Sequence, residues 1–388
     1  MKVLVLNAGS SSIKFELFTM PEETVSVRGL LQRIGEPDPE LSWTDGERHA
    51  QRVAAADHAE GLALILEALD GGSPVDAVGH RVVHGGEDFA DTVAITDEVE
   101  RALERHSQLA PLHNPPNLLG IRVARKLLPG VPQVAVFDTA FHQTMPRHAF
   151  LYAVPYELYT DLGVRRYGFH GTSHRYVSER AAALLGRPLA ETNSITCHLG
   201  NGASITAVRG GRSVDTSMGM TPLEGLVMGT RSGDLDPAIL PTLGRLRGLS
   251  LPELDTLLNK RSGLLGLSGR SNDMRALLAA ETDGDERAAI ALDVYAYRVR
   301  KYIGAYLAVL GTVHTVVFTA GVGENAPAVR ARILDGLGPL GLELDGEKNG
   351  AARGESDIAT TGSATRIFVI PTREELVIAR DTWRVAAG

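Results

Sequence analysis

The sequence predicts an α/β protein made of two similarly designed halves that face each other across a ligand. Residues 2–18 (KVLVLNAGSSSIKFELF) contain a short apolar run, a Gly-Ser turn and a second run in which apolar and polar residues alternate. Residues 194–208 (SITCHLGNGASITAV) repeat this hairpin design with slight sequence identity. Elsewhere, short apolar runs typical of buried strands alternate with stretches of helical periodicity.

The opening hairpin is expected to separate its polar and apolar side chains. Because side chains alternate along a strand, Ser12 and Lys14 should lie on the face opposite to Ile13 and Phe15. Gly9 permits backbone dihedrals that other residues resist and lets a ligand approach the turn. A turn with free N–H groups, hydroxyls and a nearby lysine is either a phosphate cradle or an ordinary surface turn.

Composition excludes several classes of protein. The chain has 388 residues, enough for two domains, and its 39 Lys and Arg against 47 Asp and Glu give a net charge of −8. The lack of a basic block argues against nucleic acid as a partner. A single cysteine, Cys197, excludes an intramolecular disulfide framework. No apolar run has the length of a signal-peptide core or a membrane span, so we expect a cytoplasmic protein with no membrane partner.

The first half contains a strand that ends in a polar loop. Residues 44–57 are polar and predicted to be irregular, residues 61–69 a short helix, and residues 75–83 a strand that runs into HGGE. Ligands of open α/β sheets collect at the carboxyl ends of strands. The candidates there are Arg81, Val83 and His84, although His84 taken alone is more typical of a hydrogen-bonded core histidine.

A second strand of this half delivers an aspartate to a loop. Residues 110–117 (APLHNPPN) are predicted to be a loop whose prolines open a helix over residues 117–128. The strand over residues 133–137 is followed at once by Asp138. An aspartate in this place suits metal binding or catalysis, and it is also a common helix cap.

Two histidines four residues apart, His170 and His174, lie in the YGFHGTSH stretch. This spacing binds metal on a helix, but Gly171 between them argues against a regular helix and no third ligand is near in sequence. We therefore do not predict a structural metal site.

Residues 215–237 form a long glycine-rich stretch that carries Arg231. Long irregular loops in compact domains tend to be functional, and this arginine is predicted to bind an acidic substrate or to pair with Asp234. An amphipathic helix follows, whose apolar stripe is most simply core or a dimer seam. The stripe consists of Ala288, Leu292, Tyr295, Val299, Tyr302, Tyr306 and Val309.

Residues 315–325 (TVVFTAGVGEN) are predicted to run from a buried strand through a glycine-rich turn into a helix. Gly321, Gly323 and Ala326 fit the GxGxxA pattern of dinucleotide folds, with Asp345 at a plausible distance for a ribose-binding acid. Few residues remain for such a domain, so a nucleotide-contacting turn of another fold explains the pattern equally well.

The chain closes with a strand over residues 367–370 and a helix that begins in PTREEL. Thr372 and Glu375 have the spacing of a capping box, which leaves Glu374 without a structural role. Because so short a segment cannot form a domain, we expect this helix to pack on the first one.

Taken together, the motifs closely resemble the acetokinase family, within the sugar kinase, heat-shock and actin superfamily. The resemblance covers nearly the whole chain, and the series is far more specific than any single motif. The motifs are LNAGSSSIKFELF, GHRVVHGGE, APLHNPPN, VFDTAFHQTMP, YGFHGTSH, CHLGNGAS, DTSMGMTPLEGLVMGTRSGDLDP, FTAGVGEN and TREEL.

This resemblance implies a fold, a reaction and an assembly. The fold would consist of two duplicated domains of the actin-like ATPase type, with a ribonuclease H-like βββαβαβα core and an ATP cleft between them. Residues 1–142, completed by residues 373–388, would form the N-terminal domain, and residues 143–372 the nucleotide-binding domain. The reaction would be reversible transfer of the γ-phosphoryl group of ATP to acetate, dependent on Mg²⁺ (or Mn²⁺), by a homodimer.

The resemblance also implies roles for individual residues. Asp138, His170 and Arg231 would be catalytic, and Asn7 and Glu374 would attend the metal. The substrate residues would be Arg81, Val83, Leu112, Phe169 and Pro222. The ATP residues would be Lys14, His198, Leu199, Gly200, Asn201, Gly202, Asp273, Met274, Arg275, Gly321, Val322, Gly323, Glu324 and Asn325.

Three positions depart from the family pattern. Arg373 replaces the usual asparagine before the glutamate pair, Met220 stands where phenylalanine is common, and SNDMR is a variant motif. The cation of Arg373 would weaken metal binding or pair with phosphate. The alternatives are a kinase for propionate or another short-chain acid, a nonenzymatic ATP-binding module, and the NAD dehydrogenase suggested by GxGxxA.

The chemistry of a carboxylate acceptor shapes the expected role of Asp138. Acetate is already ionised at neutral pH, since an unperturbed carboxyl group titrates near pH ~4. No general base is needed, and catalysis should depend on positioning and charge neutralisation. We therefore expect Asp138 to orient Arg81, Arg231 or a metal-bound water.

Overall fold

The computed structural model describes residues 1–69, 74–107, 110 and 113–388. The chain forms two compact units, Met1–Gln143 with Arg373–Gly388 (unit 1) and Thr144–Thr372 (unit 2). Each unit contains helices and one sheet, so the predicted α/β class is confirmed. Within the described ranges, no helix is long and apolar enough to span a membrane.

Unit 1 is built on a mixed sheet. Its strands are β1 (Lys2–Ala8), β2 (Ser12–Thr19), β3 (Thr24–Gln32), β4 (Glu40–Thr44), β5 (Arg48–Arg52), β6 (Ala77–Val82), β7 (Val93–Ala94) and β8 (Gln133–Phe137). Its helices are α1 (His58–Leu69), α2 (Asp97–His106) and α3 (Asn114–Leu127), joined by the C-terminal helix α15 (Glu374–Ala387). The strand order in the described chain is β5-β4-β3-β2-β1-β6-β8-β7. Strands β1, β6 and β8 are parallel, so their carboxyl ends meet at one edge.

The opening hairpin forms as predicted. β1 and β2 pair antiparallel with Asn7 opposite Lys14. Ile13 and Phe15 are buried and Lys14 is exposed, because the first two face a core that includes Leu31 and Ile65. The helices over residues 61–69 and 117–128 are also present, although α3 begins three residues earlier and takes the paired prolines into its first turn.

The expectation that residues 44–57 are irregular is wrong. β5 occupies Arg48–Arg52 and pairs antiparallel with β4. The error arises because β5 is an edge strand with mostly exposed polar side chains, and such a strand has no apolar alternation to reveal it.

The C-terminal helix packs on the sheet of unit 1, as expected. α15 contacts β6, β8 and β1. Gly79 of β6 permits this approach, because a Cβ at that position would overlap Thr382 of α15. The predicted capping box is wrong: the Oγ1 of Thr372 donates to Ser173 Oγ, and Glu375 instead pairs with Lys14.

Unit 2 has its own mixed sheet. Its strands are β9 (Asn193–Leu199), β10 (Ala203–Arg209), β11 (Arg212–Thr216), β12 (Thr315–Thr319), β13 (Ser356–Asp357) and β14 (Arg366–Val369), in the order β11-β10-β9-β12-β14-β13. Its helices are α4 (Arg147–Phe150), α5 (Glu157–Leu162), α6 (Gly171–Leu184), α7 (Ile239–Arg247), α8 (Leu251–Lys260), α9 (Gly263–Ser268), α10 (Met274–Thr282), α11 (Glu286–Leu310), α12 (Ala320–Asn325), α13 (Pro327–Leu334) and α14 (Gly346–Ala351).

The second hairpin and the long amphipathic helix are both present. β9 and β10 pair antiparallel around the Gly-rich turn, as predicted. α11 buries most of the predicted stripe, but Val309 is exposed and Leu310 is buried in its place. The shift at this end follows from the 3.6-residue period, which moves the buried face by one position over several turns.

The glycine-rich motif after β12 forms a helix without an intervening turn. α12 begins at Ala320, directly after the strand. Asp345 accepts hydrogen bonds from the backbone N–H groups of Glu347 and Lys348 and thereby caps α14. The acid that suggested a ribose contact therefore has a structural role.

Candidate functional site

A charged cluster lies where β6 and β8 end in unit 1. The guanidinium of Arg81 donates two hydrogen bonds to Asp138, from Nε to Oδ1 at 3.0 Å and from Nη2 to Oδ2 at 2.6 Å. Its Nη1 donates to Asn7 Oδ1 at 3.4 Å. Asp138 is 1% exposed. The charge of Asp138 raises the pKa of Arg81 above its ordinary value, against the opposing effect of burial. We call Asn7, Arg81, Asp138 and Glu374 the Arg81 cluster.

Glu374 adds a second carboxylate to this cluster. Burial raises its pKa to about 7, and the charges of Asp138 and Glu375 act in the same direction, while Arg81 opposes them. The charge of Lys14 acts in the same direction as that of Arg81. A further cation at this place would favour the ionised form of Glu374.

The donor atoms of the Arg81 cluster fit a magnesium ion. Mg²⁺ prefers oxygen ligands and is usually held by one or two carboxylates together with substrate phosphates. The predicted ligands Asn7 and Glu374 provide an amide oxygen and a carboxylate. Among the described residues, no group of three His, Cys, Asp or Glu side chains is arranged to hold a metal on its own.

Lys14 and Arg373 lie near the same strands of unit 1. Lys14 forms an ion pair with Glu375. Burial raises the pKa of Glu16, and the hydrogen bond from Arg380 lowers the pKa of Glu23. The charge of Arg373 makes a smaller, lowering contribution to both.

The NPPN motif anchors the loop that follows β6, which sequence reasoning did not foresee. The Oδ1 of Asn117 accepts from the N–H of Val83, and its Nδ2 donates to the carbonyl of Ala8. Asn114 exchanges two hydrogen bonds with the backbone of His84. The local sequence signal for these contacts is the HNPPN stretch at residues 113–117, in which two asparagines flank two prolines. The two side chains thus connect the ends of β1 and β6.

The predicted substrate pocket is described only in part. Val83 is buried in unit 1, and Phe169 is buried in unit 2. Pro222 lies in the long loop of unit 2, where its carbonyl accepts from Arg231. Leu112 lies outside the described residues. The grouping of these four side chains into one pocket stays a prediction.

A second cluster lies around the turn between β9 and β10 in unit 2. A Cβ placed on Gly202 would be 3.6 Å from both His170 Nε2 and Arg231 Nη1, so the imidazole and the guanidinium converge on this glycine. His170 immediately precedes α6 and has φ +57°, in the left-handed region. Strained dihedrals of this kind concentrate at functional positions. We call His170, Gly202 and Arg231 the Arg231 cluster.

Arg231 does not pair with Asp234, which was one of its two predicted partners. Its Nη1 donates to the carbonyl of Pro222 at 3.0 Å, and burial lowers its pKa. In the described part of the chain no carboxylate lies within ion-pair distance of it. Asp234 instead accepts from Tyr302 Oη and lies 3.5 Å from Arg298 Nη1, which attaches the long loop to α11.

The YGFHGTSH motif is partly helical, contrary to the expectation from Gly171. α6 begins at Gly171, so His174 is helical while His170 precedes the first turn. The glycine starts the helix and does not interrupt it. The two rings also share a partner, because His170 Nδ1 and His174 Nε2 both lie within hydrogen-bond distance of Ser204 Oγ.

A cavity of about 620 Å³ opens beside the β9–β10 turn. Its walls come from the turn itself, the start of α10 and the exposed side of α12. Predicted ATP residues that line it are Gly200, Asn201, Asp273, Met274, Arg275, Gly321, Val322 and Asn325. Sequence reasoning missed Leu264, Asn272, Leu278 and Ala326. Two of these had a local signal: Ala326 closes the GxGxxA pattern, and Asn272 precedes the DMR motif and donates to Asn201 Oδ1 at 3.0 Å.

The remaining predicted ATP residues do not line this cavity. His198 and Leu199 are buried at the end of β9, and Gly323 packs against the backbone of Phe318. Glu324 accepts a hydrogen bond from the N–H of Thr372. These side chains support the walls of the cavity from behind, while Lys14 belongs to unit 1.

Similar proteins cover the chain from end to end. The model of the Acetokinase family matches residues 2–380. An acetate kinase from Halothermothrix orenii is 58% identical over 99% of both chains, and an acetate kinase from Geobacillus kaustophilus is 53% identical over 99% of both. The crystal structure of Porphyromonas gingivalis acetate kinase matches at 47% identity with a TM-score of 0.94, over 99% of both chains. A propionate kinase from Francisella tularensis matches at 42% identity with a TM-score of 0.95, again over 99% of both. This chain belongs to the acetokinase family.

Proposed function

We propose that this chain is an acetate kinase, which transfers the γ-phosphoryl group of ATP to acetate and forms acetyl phosphate and ADP, reversibly. The observation that carries the proposal is the convergence of His170 and Arg231 on Gly202, in a turn whose preceding residues line the 620 Å³ cavity. Two hydrogen-bond donors directed at one point are suited to a transferring phosphoryl group, whose oxygens are acceptors. The names of the relatives support acetate as the acceptor.

The reaction is written as a direct in-line displacement. A carboxylate oxygen of acetate attacks the γ-phosphorus, the bond from this phosphorus to the β,γ-bridging oxygen breaks, and ADP leaves with the electron pair. No proton has to move, because acetate is ionised at neutral pH. The protein therefore has to orient the reactants and neutralise charge.

Arg231 is the principal group for charge neutralisation in this mechanism. Its guanidinium has no carboxylate partner in the described chain, so its charge is available to an anion. His170 would donate a hydrogen bond to an equatorial oxygen of the same phosphoryl group. Removal of one such donor typically costs 10²-fold or more in rate.

Arg81 would bind the carboxylate of acetate, and Asp138 would orient it. The two hydrogen bonds between them hold the guanidinium in one plane. Asp138 is committed to Arg81 through both oxygens, which supports an orienting role and opposes a role as general base.

The cavity beside the second hairpin is the proposed nucleotide site. Its glycines at residues 200 and 321 leave the backbone accessible, and no atom lies within 4 Å of a Cβ placed on Gly321. We propose that the adenosine part binds against α10 and α12, with the phosphates directed to Gly202. Lys14 is proposed as a contact of the nucleotide from unit 1.

Mg²⁺, or Mn²⁺, is the proposed metal, held by Asn7 and Glu374 together with the nucleotide phosphates. When bound, such an ion neutralises charge on the phosphates. Asn7 offers an amide oxygen and Glu374 a carboxylate whose ionised form the cation would favour. We further propose a cytoplasmic homodimer with neither nucleic acid nor a membrane as a partner.

The test is turnover of the purified protein with ATP, Mg²⁺ and a series of acids from formate to butyrate, with the acyl phosphate trapped by hydroxylamine. The expected result is a maximum of kcat/KM at acetate. The absence of an ATP-dependent product with every acid would overturn the proposal and favour a nonenzymatic ATP-binding module.

A propionate kinase is the second candidate, and the Francisella tularensis structure favours keeping it. Apolar side chains near a substrate distinguish one methylene by only ~1 to 3 kcal/mol. Val83 and Phe169 are proposed substrate contacts whether the acceptor is acetate or propionate. A maximum at propionate in the acid series would keep the mechanism and change the substrate.

A further inference from the structure

Beneath His170, unit 2 contains a continuous array of short hydrogen bonds. His170 Nδ1 lies 2.9 Å from Ser204 Oγ, and Ser204 Oγ lies 2.7 Å from His174 Nε2. On its other side, His174 Nδ1 lies 2.7 Å from Thr196 Oγ1. Thr196, His174 and Ser204 are fully buried, at 0% exposed. We call Thr196, His174, Ser204 and His170 the histidine array.

The hydrogen count of the array couples the two imidazoles. A serine hydroxyl has one hydrogen, so Ser204 can donate to only one of the two ring nitrogens next to it. The other nitrogen must then carry a hydrogen and donate to Ser204. A neutral imidazole has one N–H and one acceptor nitrogen, so the two tautomers are coupled whenever the hydrogen of Ser204 is donated within the array.

The array has two internally consistent directions. In one, Thr196 donates to His174 Nδ1, His174 Nε2 donates to Ser204, and Ser204 donates to His170 Nδ1. His170 then carries its hydrogen on Nε2, the atom that faces Gly202 and Arg231. In the reverse direction every hydrogen bond is inverted, and His170 Nε2 presents a lone pair at the same place.

Neighbouring side chains hold the ring of His170 in one plane. The ring of His198 stacks on that of His170 at 4.1 Å with an angle of 19°. His198 is held in turn by Ser173 Oγ, 2.8 Å from its Nδ1.

We propose that Ser204, supported by His174 and Thr196, is a positioning residue that fixes His170 as the Nε2–H tautomer and so makes its Nε2 a donor to the transferring phosphoryl group. This role rests on the proposed kinase reaction. A phosphoryl oxygen only accepts hydrogen bonds, and a lone pair on Nε2 would repel it. Among the two directions of the array, phosphoryl transfer requires the first.

The test is ¹⁵N NMR of the full chain labelled at histidine, recorded without nucleotide and at a fixed pH where the imidazoles are neutral. The signals of His170 are identified among the 12 histidines by their loss in His170→Asn. The expected wild-type spectrum has an acceptor-type Nδ1 and a protonated Nε2. Ser204→Ala should give a mixture of both tautomers. It should also lower kcat about tenfold or more, with the KM values for ATP and acetate changed less than about threefold.

Thr206→Val is the matched control. Thr206 lies on the same strand, is equally buried and bonds Thr216 Oγ1 at 2.8 Å, so this variant loses a buried hydroxyl outside the array. It should leave the His170 tautomer and kcat unchanged. If Ser204→Ala does not fold, Thr196→Val provides the same test from the far end of the array, and Thr196→Ser should restore the wild-type signals.

The outcomes separate the array from the reaction. A wild-type His170 with its hydrogen on Nδ1 would overturn the proposal, and so would a His170 that keeps the single wild-type tautomer in both Ser204→Ala and Thr196→Val. The expected tautomer together with no acyl phosphate from any acid would support the array and overturn the proposed function instead, because the spectrum does not depend on turnover.

Discussion

The Arg81 cluster and the Arg231 cluster differ in how their arginines are paired. Arg81 donates two hydrogen bonds to Asp138, and the charge of Glu374 also acts on it. Arg231 is bound to a carbonyl and has no carboxylate partner among the described residues. The carboxylates of the first cluster suit a cation, whereas the guanidinium of Arg231 suits an anion.

The clusters also differ in backbone strain. His170 and Ala320, both in unit 2, have φ +57° and +63° although neither is a glycine. Among the described residues of unit 1, the non-glycine residues with positive φ are Glu23, Arg33 and Asp38, none of them in the Arg81 cluster. Unit 2 thus holds both an uncompensated cation and strained dihedrals around its glycine-rich turn. Such costs are typical of sites preorganised for a ligand.

The largest expected effect is that of Arg231→Ala on catalysis. Loss of the uncompensated guanidinium should lower kcat about 10³-fold, because its charge is used on the transferring phosphoryl group. The KM for ATP should rise less than about threefold. The free energy of unfolding should not fall, since a buried charge without a partner is removed. Steady-state kinetics and urea unfolding check both statements, and a loss confined to ATP affinity would contradict the assignment.

Asp138→Asn in unit 1 should lower the free energy of unfolding as well as kcat, unlike Arg231→Ala. Arg81 loses its orienting carboxylate, so kcat should fall about 10²-fold at saturating Mg²⁺. Removal of one partner of a buried ion pair should also cost about 3 kcal/mol of unfolding free energy. The control is Asp97→Asn, which breaks an exposed pair with Arg125 and should leave the free energy of unfolding nearly unchanged. A kcat near the wild-type value for Asp138→Asn would refute the orienting role.

The raised pKa of Glu374 predicts how Mg²⁺ binding depends on pH. Glu374 titrates with a pKa of about 7 in the folded protein, against 4.5 ordinarily. The folded protein holds a proton that the unfolded chain has lost, so without metal its stability should fall as the pH rises from 4.5 through 7. Binding of Mg²⁺ should strengthen about tenfold between pH 6 and pH 8, because the cation replaces this proton.

Titration calorimetry with Mg²⁺ and nucleotide at several pH values measures this dependence. Glu374→Gln should weaken Mg²⁺ binding. It should also remove the pH dependence of stability and that of Mg²⁺ affinity. Magnesium affinity that stays constant with pH in the wild-type protein would exclude Glu374 as a ligand that must ionise.

The smallest effect concerns the strained backbone of unit 2. Ala320→Gly relieves the left-handed residue before α12 but adds freedom to the unfolded chain, so stability should rise by about 0.5 kcal/mol. The KM for ATP should rise about twofold as α12 loosens. Arg33→Gly relieves the same strain in unit 1 and should leave the KM unchanged. Equal kinetic effects of the two variants would show that the strain has no bearing on the nucleotide site.

Local pattern was sufficient to predict the hairpins and most central elements. The strand over residues 133–137, the hairpin over residues 194–208 and the long helix α11 all have strong apolar periodicity, and all were found close to their predicted places. The polar edge strand β5 lacks such a pattern and was missed. The start of α6 at Gly171 was missed because glycine is read locally as a helix breaker.

Residue chemistry predicted the members of the candidate site better than their partners. Asp138 was expected to orient Arg81, Arg231 or a metal-bound water, and the partner in the structure is Arg81. Glu375 was assigned to a cap and instead pairs with Lys14, 361 positions away in sequence. Asp234 was a predicted partner of Arg231, but in the structure it accepts a hydrogen bond from Tyr302 of α11. Partners so distant in sequence leave no local signal.

Sequence by itself determined the class of fold and the family, because motifs and periodicity are local properties of the chain. Tertiary structure decided which charged groups are paired and which are buried. The raised pKa of Glu374, the lowered pKa of Arg231 and the contacts of the histidine array all depend on distances between remote residues and on burial. Desolvation and Coulomb energies are set by these distances, which no local pattern encodes.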